Sequence, residues 1–268
     1  MFMTRVILTI SLWLLAGRLR NIGLYSLFLW ATGAPVLFLG QFDVITYFLS
    51  AVSLLLLIIW KKKPSPPILF FLGFLSGISV LLSAGTGLFI VFISSVLLIQ
   101  SFPNRRNTAR LLLYLAGGGA VILVCFFFNM NIVSVIFKCL SNNTAFNTQA
   151  GRSAWWMIAN WLDYLLFAGP MCLLTIIYFS VKLHLNKSRW KKFPYQAAPV
   201  FTLLLITAHF FARGETGRLM LFMLPVPLLL SGYIIQSTSE ATHCRLMILL
   251  QICLIVSMRM LLKTVFIF

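Results

Sequence analysis

The stretch DVITYFLSAVSLLLLIIWKKKP, residues 43–64, decides how the rest of the chain is read. From Val44 to Trp60 it carries no charge, and a helix of that length nearly matches the roughly 30 Å hydrocarbon core of a bilayer at about 1.5 Å of rise per residue. Trp60 stands at its end, where an amphipathic ring favours the membrane interface, and Lys61, Lys62 and Lys63 follow at once as a topology anchor. In hydrocarbon the backbone must satisfy its own polar groups, so such a run is a helix.

Working outward with the same measure gives apolar runs at 6–17, 22–40, 43–60, 66–83, 87–102, 111–129, 156–181, 196–212, 219–235 and 246–262, separated by charge, Pro or Gly. The expected fold class is therefore all-α: a polytopic helical transmembrane protein of nine or ten spans, forming a single integral membrane domain over 1–268. The first run is a short span or the stub of a longer one. The runs at 66–83 and 87–102, joined by Ala84-Gly85-Thr86-Gly87, read as a tight hairpin or one kinked element.

Composition agrees. The chain is 61% hydrophobic and 9% charged, with a mean hydropathy of +1.01, where soluble domains carry about 25% charge. A formal net charge of +17 does not point to nucleic acid, because the basic residues sit in short clusters between apolar runs and build no basic face. Alternate connections hold Arg18 and Arg20; Lys61 to Lys63; Arg105, Arg106 and Arg110; Lys182, Lys187, Arg189, Lys191 and Lys192; and Arg245, which are 14 of the 21 basic residues. The positive-inside rule puts these connections in the cytoplasm, leaving Arg5, Lys138, Arg152, Arg213, Arg218, Arg259 and Lys263 on the other side. The expected location is the cell membrane, multi-pass, of bacterial inner-membrane type, and the first partner is the lipid bilayer. The five cysteines show no CxxC spacing and His184, His209 and His243 lie far apart, so no disulfide framework or metal site is indicated, and the cysteines read as small packing or lipid-facing residues.

With only four acidic residues, Asp43, Asp163, Glu215 and Glu240, each one is informative. Asp43 falls at the outer turn before the third span, Asp163 in the outer half of the seventh, and Glu215 in the outer turn between the eighth and ninth. The densest polar cluster is Arg213-Gly214-Glu215-Thr216-Gly217-Arg218. Two readings of it stand: an interfacial turn whose Arg and Glu pair with each other, or an anion site whose guanidinium forks grip phosphate oxygens. The outer connection 141–152 brings amides, hydroxyls and Arg152 up to Trp155 and Trp156, a composition that suits a sugar or lipid phosphate as well as a solvated loop with an aromatic anchor. Asp163 lies within an apolar run and precedes Gly169-Pro170, where a kink or break is expected; it is a functional carboxylate or a structural partner near that kink.

The order of Gly33-Ala34-Pro35-Val36-Leu37-Phe38 with Asp43, of Phe71-Leu72-Gly73-Phe74-Leu75-Ser76-Gly77, of Trp156 through Asp163 to Gly169-Pro170, and of Arg213 to Arg218 with Pro225 resembles the C-terminal part of bacterial GT-C superfamily membrane glycosyltransferases. The resemblance implies an outward cavity for a polyprenyl-phosphate-linked sugar, with Arg213, Glu215 and Arg218 at the lipid phosphate and Arg152 and Asp163 as further cavity residues. Asp43 and Asp163 are the available candidates for a catalytic carboxylate, and a divalent metal is implied by the resemblance alone. The chain departs from that family after its first apolar run, where Gly17-Arg18-Leu19-Arg20-Asn21 stands in place of an outer acidic loop. The chain is thus expected to be a fragment of such an enzyme or an inactive relative. The other readings are a transporter or flippase for an anionic or lipid-linked substrate, and a non-catalytic membrane subunit.

Overall fold

The computed structural model describes residues 2–17, 19–32, 43–83, 86–101, 108–132, 134–135, 137–138, 141, 168–185, 221–237 and 241–265. Among them there is no strand. The helices are α1 (Phe2–Ala16), α2 (Ile22–Trp30), α3 (Asp43–Lys62), α4 (Pro66–Leu82), α5 (Gly87–Ser101), α6 (Thr108–Phe127), α7 (Pro170–Leu185), α8 (Pro225–Ser237) and α9 (Ala241–Val265), with a 3-10 turn at Leu221–Met223 before α8. Two of them, over Val44–Lys62 and Thr108–Phe127, are long and apolar enough to cross a membrane.

The helix ends follow local chemistry. Gly17 takes φ +74° and donates its N–H to the Trp13 carbonyl at 2.9 Å, closing α1 with a left-handed residue that glycine adopts without steric cost. Pro66 and Pro67 open α4, where a missing N–H costs nothing. At the far end of α6, Asn129 takes φ 55° and the Met130 N–H reaches back to the Cys125 carbonyl at 3.0 Å.

The interruptions refine the expected runs. The helix expected over 22–40 ends at Trp30, where Ala31 still donates to Leu27 at 2.8 Å but the helical geometry stops. The runs at 66–83 and 87–102 are two helices, as one of the two expected readings has it, because Ser83 is extended and Thr86 folds back on the Ser83 carbonyl through both its N–H (3.0 Å) and its hydroxyl (2.7 Å). Pro225 divides the run at 219–235 into the 3-10 turn and α8.

The buried centre is α3. Tyr47, Ala51, Leu54, Leu57 and Ile58 are buried along it, packed in one core with Leu8 and Leu12 of α1, Leu69 and Leu72 of α4, and Phe222 and Met223 of the 3-10 turn. Some buried hydroxyls are satisfied within their own helix, Ser11 donating to Ile7 (2.8 Å) and Ser76 to Leu72 (2.9 Å), each one turn back, whereas those of Thr4, Ser50 and Ser53 have no hydrogen-bond partner among the described residues. The closest crossing is that of α4 and α6. A methyl added to Gly73 would overlap the Tyr114 carbonyl and lie 2.8 Å from its carbon, and one added to Gly117 would lie 2.9 Å from both the Phe70 carbonyl carbon and the Phe74 nitrogen. Gly77 faces Gly118 and Val121 in turn, so the two helices run in the same direction with backbone nearly on backbone. Small residues spaced four apart make such a crossing possible.

α6 buries little else. Leu112, Ile122, Leu123 and Val124 are exposed, and Phe126, Phe127 and Phe128 are 75%, 87% and 75% exposed.

Two contacts tie chain ends together. The turn after α1 is clasped by the end of α8: the Gln236 side-chain oxygen accepts both the Arg20 N–H (2.5 Å) and the Asn21 N–H (2.8 Å), while the Asn21 amide donates to the Ile235 carbonyl at 2.8 Å. Where α3 ends and α6 begins, the Arg110 guanidinium lies 5.6 Å from the centre of the Trp60 ring. Trp60 is buried there.

Candidate functional site

Of the residues singled out from sequence, Arg152, Asp163, Arg213, Glu215 and Arg218 lie outside the described residues. Asp43 opens α3 with its backbone, and its side chain is likewise outside them. Among the described residues the candidate is a polar junction where α2 ends and α7 begins.

α2 halts at Trp30 and Thr32 follows, its hydroxyl donating to the Phe28 carbonyl at 3.0 Å. α7 starts after Gly169, whose φ of +84° breaks the helical path at the Gly169-Pro170 step. The two ends meet at one side chain. The Gln251 amide of α9 lies against the Gly169 backbone so closely that a methyl there would come within 2.6–2.9 Å of the amide atoms. Its Nε2 points to the Thr32 hydroxyl at 3.5 Å, the long limit of a hydrogen bond. Gln251 is fully buried, and among the described residues its Oε1 has no hydrogen-bond partner. A buried acceptor left open costs about 1–3 kcal/mol, so this oxygen is a place where a donor is needed.

One turn along α7 the polar line continues. The Thr175 and Ser231 hydroxyls are 2.5 Å apart, Thr175 donates to the Met171 carbonyl at 2.7 Å, and Ser231 to the Pro227 carbonyl at 2.7 Å. Each hydroxyl has one proton. With both satisfying carbonyls of their own helices, the short Thr175–Ser231 approach needs one of the two to share its proton. Buried Cys172 lies beside them. Of the other thiols, Cys244 is also buried, Cys125 partly exposed and Cys253 exposed, all without disulfides. Among the described residues no three His, Cys, Asp or Glu side chains gather as a metal site would require.

A second polar feature sits at the start of α1. The Arg5 guanidinium covers the Trp30 ring at 3.6 Å, and a groove of about 240 Å³ beside it is lined by Thr9, Ser26, Val6 and Ile10. Sequence reasoning placed Arg5 only as one of the basic residues outside the cytoplasm. The Gln251 junction was missed as well, since its only trace in the sequence is one amide within an apolar run and the Gly169-Pro170 break.

No family model, curated protein or solved structure matches this chain.

Proposed function

We propose that the chain is a multi-pass membrane protein that binds a polyprenyl-phosphate-linked sugar from the outer side and transfers the sugar. Arg213, Arg218 and Arg152 hold the lipid phosphate, Glu215 orients the arginines, and Asp163 or Asp43 supplies the carboxylate.

The observation that carries the membrane part is the agreement between charge and contact. The 18–20 connection, assigned to the cytoplasm by its arginines, meets the end of α8, assigned there independently. Arg110 and Trp60, assigned to the same side, stack on each other. The apolar exposure of α6 fits a lipid-facing surface, since an aqueous surface rarely presents so large a contiguous apolar patch. The transfer chemistry rests on the resemblance described above, in which arginines stabilise charge on the departing phosphate.

A specific observation favours a second reading, a flippase or transporter for the same class of substrate. Interrupted helices at membrane depth are tolerated where they line a cavity or are buried in protein, and they mark the binding sites of many transporters. The meeting of α2 and α7 at Gln251 has that form.

The experiment uses the purified chain in liposomes with a labelled polyprenyl-phosphate sugar. Release of free polyprenyl phosphate with labelled acceptor supports transfer. Passage of the intact lipid between leaflets supports the flippase. Arg218→Ala is expected to lower either activity at least a hundredfold while the chain stays in the membrane. Unchanged activity in that variant removes the arginine cluster from the proposal.

A further inference from the structure

At the end of α3 a groove of about 660 Å³ opens between α3, α4 and α6, lined by Leu56, Pro66, Pro67, Phe70, Phe71 and Leu113 among others, with almost no polar surface. Its rim has the opposite character. Leu56 lies one turn before Trp60, and Leu113 nearly one turn after Arg110, whose guanidinium covers that same indole. Exposed Lys61, Lys62 and Lys63 follow Trp60 in the turn to α4. Arg110 thus stands ~5 Å along its helix from Leu113, and the three lysines ~8–11 Å along theirs from Leu56, at the same end of the apolar groove. Asp43, the only acidic residue whose backbone is described, opens α3 at its other end.

From sequence, the lysines serve as a topology anchor, a role that needs charge but no groove. An anchor of that kind faces water over any apolar flank. Here the cations stand beside an open apolar groove, and the two chemistries together match one kind of molecule, an anionic amphiphile.

We infer that this groove is a binding site for one anionic glycerophospholipid of the cytoplasmic leaflet, its phosphate among Lys61, Lys62, Lys63 and Arg110 and an acyl chain along Leu56, Phe70, Phe71 and Leu113. The inference rests on the membrane reading above but not on the transferase chemistry. The site lies at the opposite end of α3 from Asp43, on the side that the basic clusters assign to the cytoplasm.

The test is native mass spectrometry of the purified full-length chain titrated with phosphatidylglycerol or phosphatidylcholine of equal chain length. The expected result is one phosphatidylglycerol held at least tenfold more tightly than phosphatidylcholine. Each basic residue near such a headgroup is worth roughly fivefold in binding, so the triple variant K61Q/K62Q/K63Q should bring the two lipids to near parity. Leu113→Trp, which fills the groove, should weaken both lipids; if it does not fold, Leu56→Phe fills the same space. Equal binding of both lipids by the wild-type chain overturns the inference. So does a triple variant that keeps its preference, a groove-filled variant that binds as before, or a species of twice the chain mass in which a second copy occupies the groove. A carbonate wash of membranes separates the two levels: release of the chain sinks the membrane reading itself, whereas retention without lipid preference sinks only this site.

Discussion

Replacing Gly73 by alanine adds one methyl group at the place where α4 and α6 have no room for it. The new carbon would overlap the Tyr114 carbonyl and approach the Gly118 nitrogen to 3.1 Å, when ordinary contact begins at 3.4 Å. Those neighbours are main chain, so no rotamer change relieves the clash, and the helices must part by on the order of 1 Å. A gap of that size forfeits roughly a quarter to a half of the dispersion energy of the atoms it separates, and overpacking of this kind costs about 1–3 kcal/mol. Alanine also favours a helix over glycine by about 1 kcal/mol, which offsets part of the loss, and a net destabilisation of ~1 kcal/mol is expected. Gly119→Ala is the control, because a methyl there meets nothing within 4 Å; it should leave stability unchanged or raise it slightly. Gly73→Ala with Gly117→Ala should cost less than the two separately, since both pry open one crossing. The assay is equilibrium unfolding of the purified protein in mixed detergent micelles, followed by circular dichroism. If Gly73→Ala unfolds together with Gly119→Ala, the close crossing does not exist.

Three further outcomes are expected. Gln251→Leu removes one long hydrogen bond and one unmet buried acceptor, so thermal unfolding should place it within about 1 kcal/mol of wild type, while transfer or translocation falls sharply if the junction contacts substrate; full activity would make Gln251 packing only. In a double-mutant cycle of Thr175→Val and Ser231→Ala, the Thr175–Ser231 hydrogen bond should give a coupling of roughly 1 kcal/mol, and additive losses would show the hydroxyls acting only within their own helices. Cysteines placed at Lys62 and at Met130 in a chain otherwise lacking cysteine should be labelled by membrane-impermeant reagents from opposite sides of the membrane; labelling from one side breaks the alternation of spans.

Much of the helical layout was legible because apolar runs and their interruptions are local properties. The lysines after Trp60 mark the turn from α3 to α4, and Gly169-Pro170 marks the break before α7. Hydropathy is blind to backbone geometry, however, and Ala31 and Thr32 are apolar or small enough to pass as continued helix, so the end of α2 at Trp30 could not be read. Gly73 and Gly77 stood in view as part of a family resemblance, but which helix they approach depends on tertiary packing. The same holds for Gln236 and Gln251, whose partners lie more than two hundred residues away in sequence. The charged clusters were conspicuous because charge is costly in an apolar chain, yet Arg152, Asp163, Arg213, Glu215 and Arg218 fall outside the described residues, and their grouping rests on sequence.

The clasp of Gln236 on the turn after α1 bears on the order in which the protein is built. Arg20 leaves the ribosome 216 residues ahead of Gln236. At about 5–20 residues per second the first two helices wait some 10–40 s before their acceptor is made. During that interval the Arg20 and Asn21 amides must be served by water or by another acceptor. α8 then closes over the turn after α1, and any chain stopped before α8 leaves that turn unsecured.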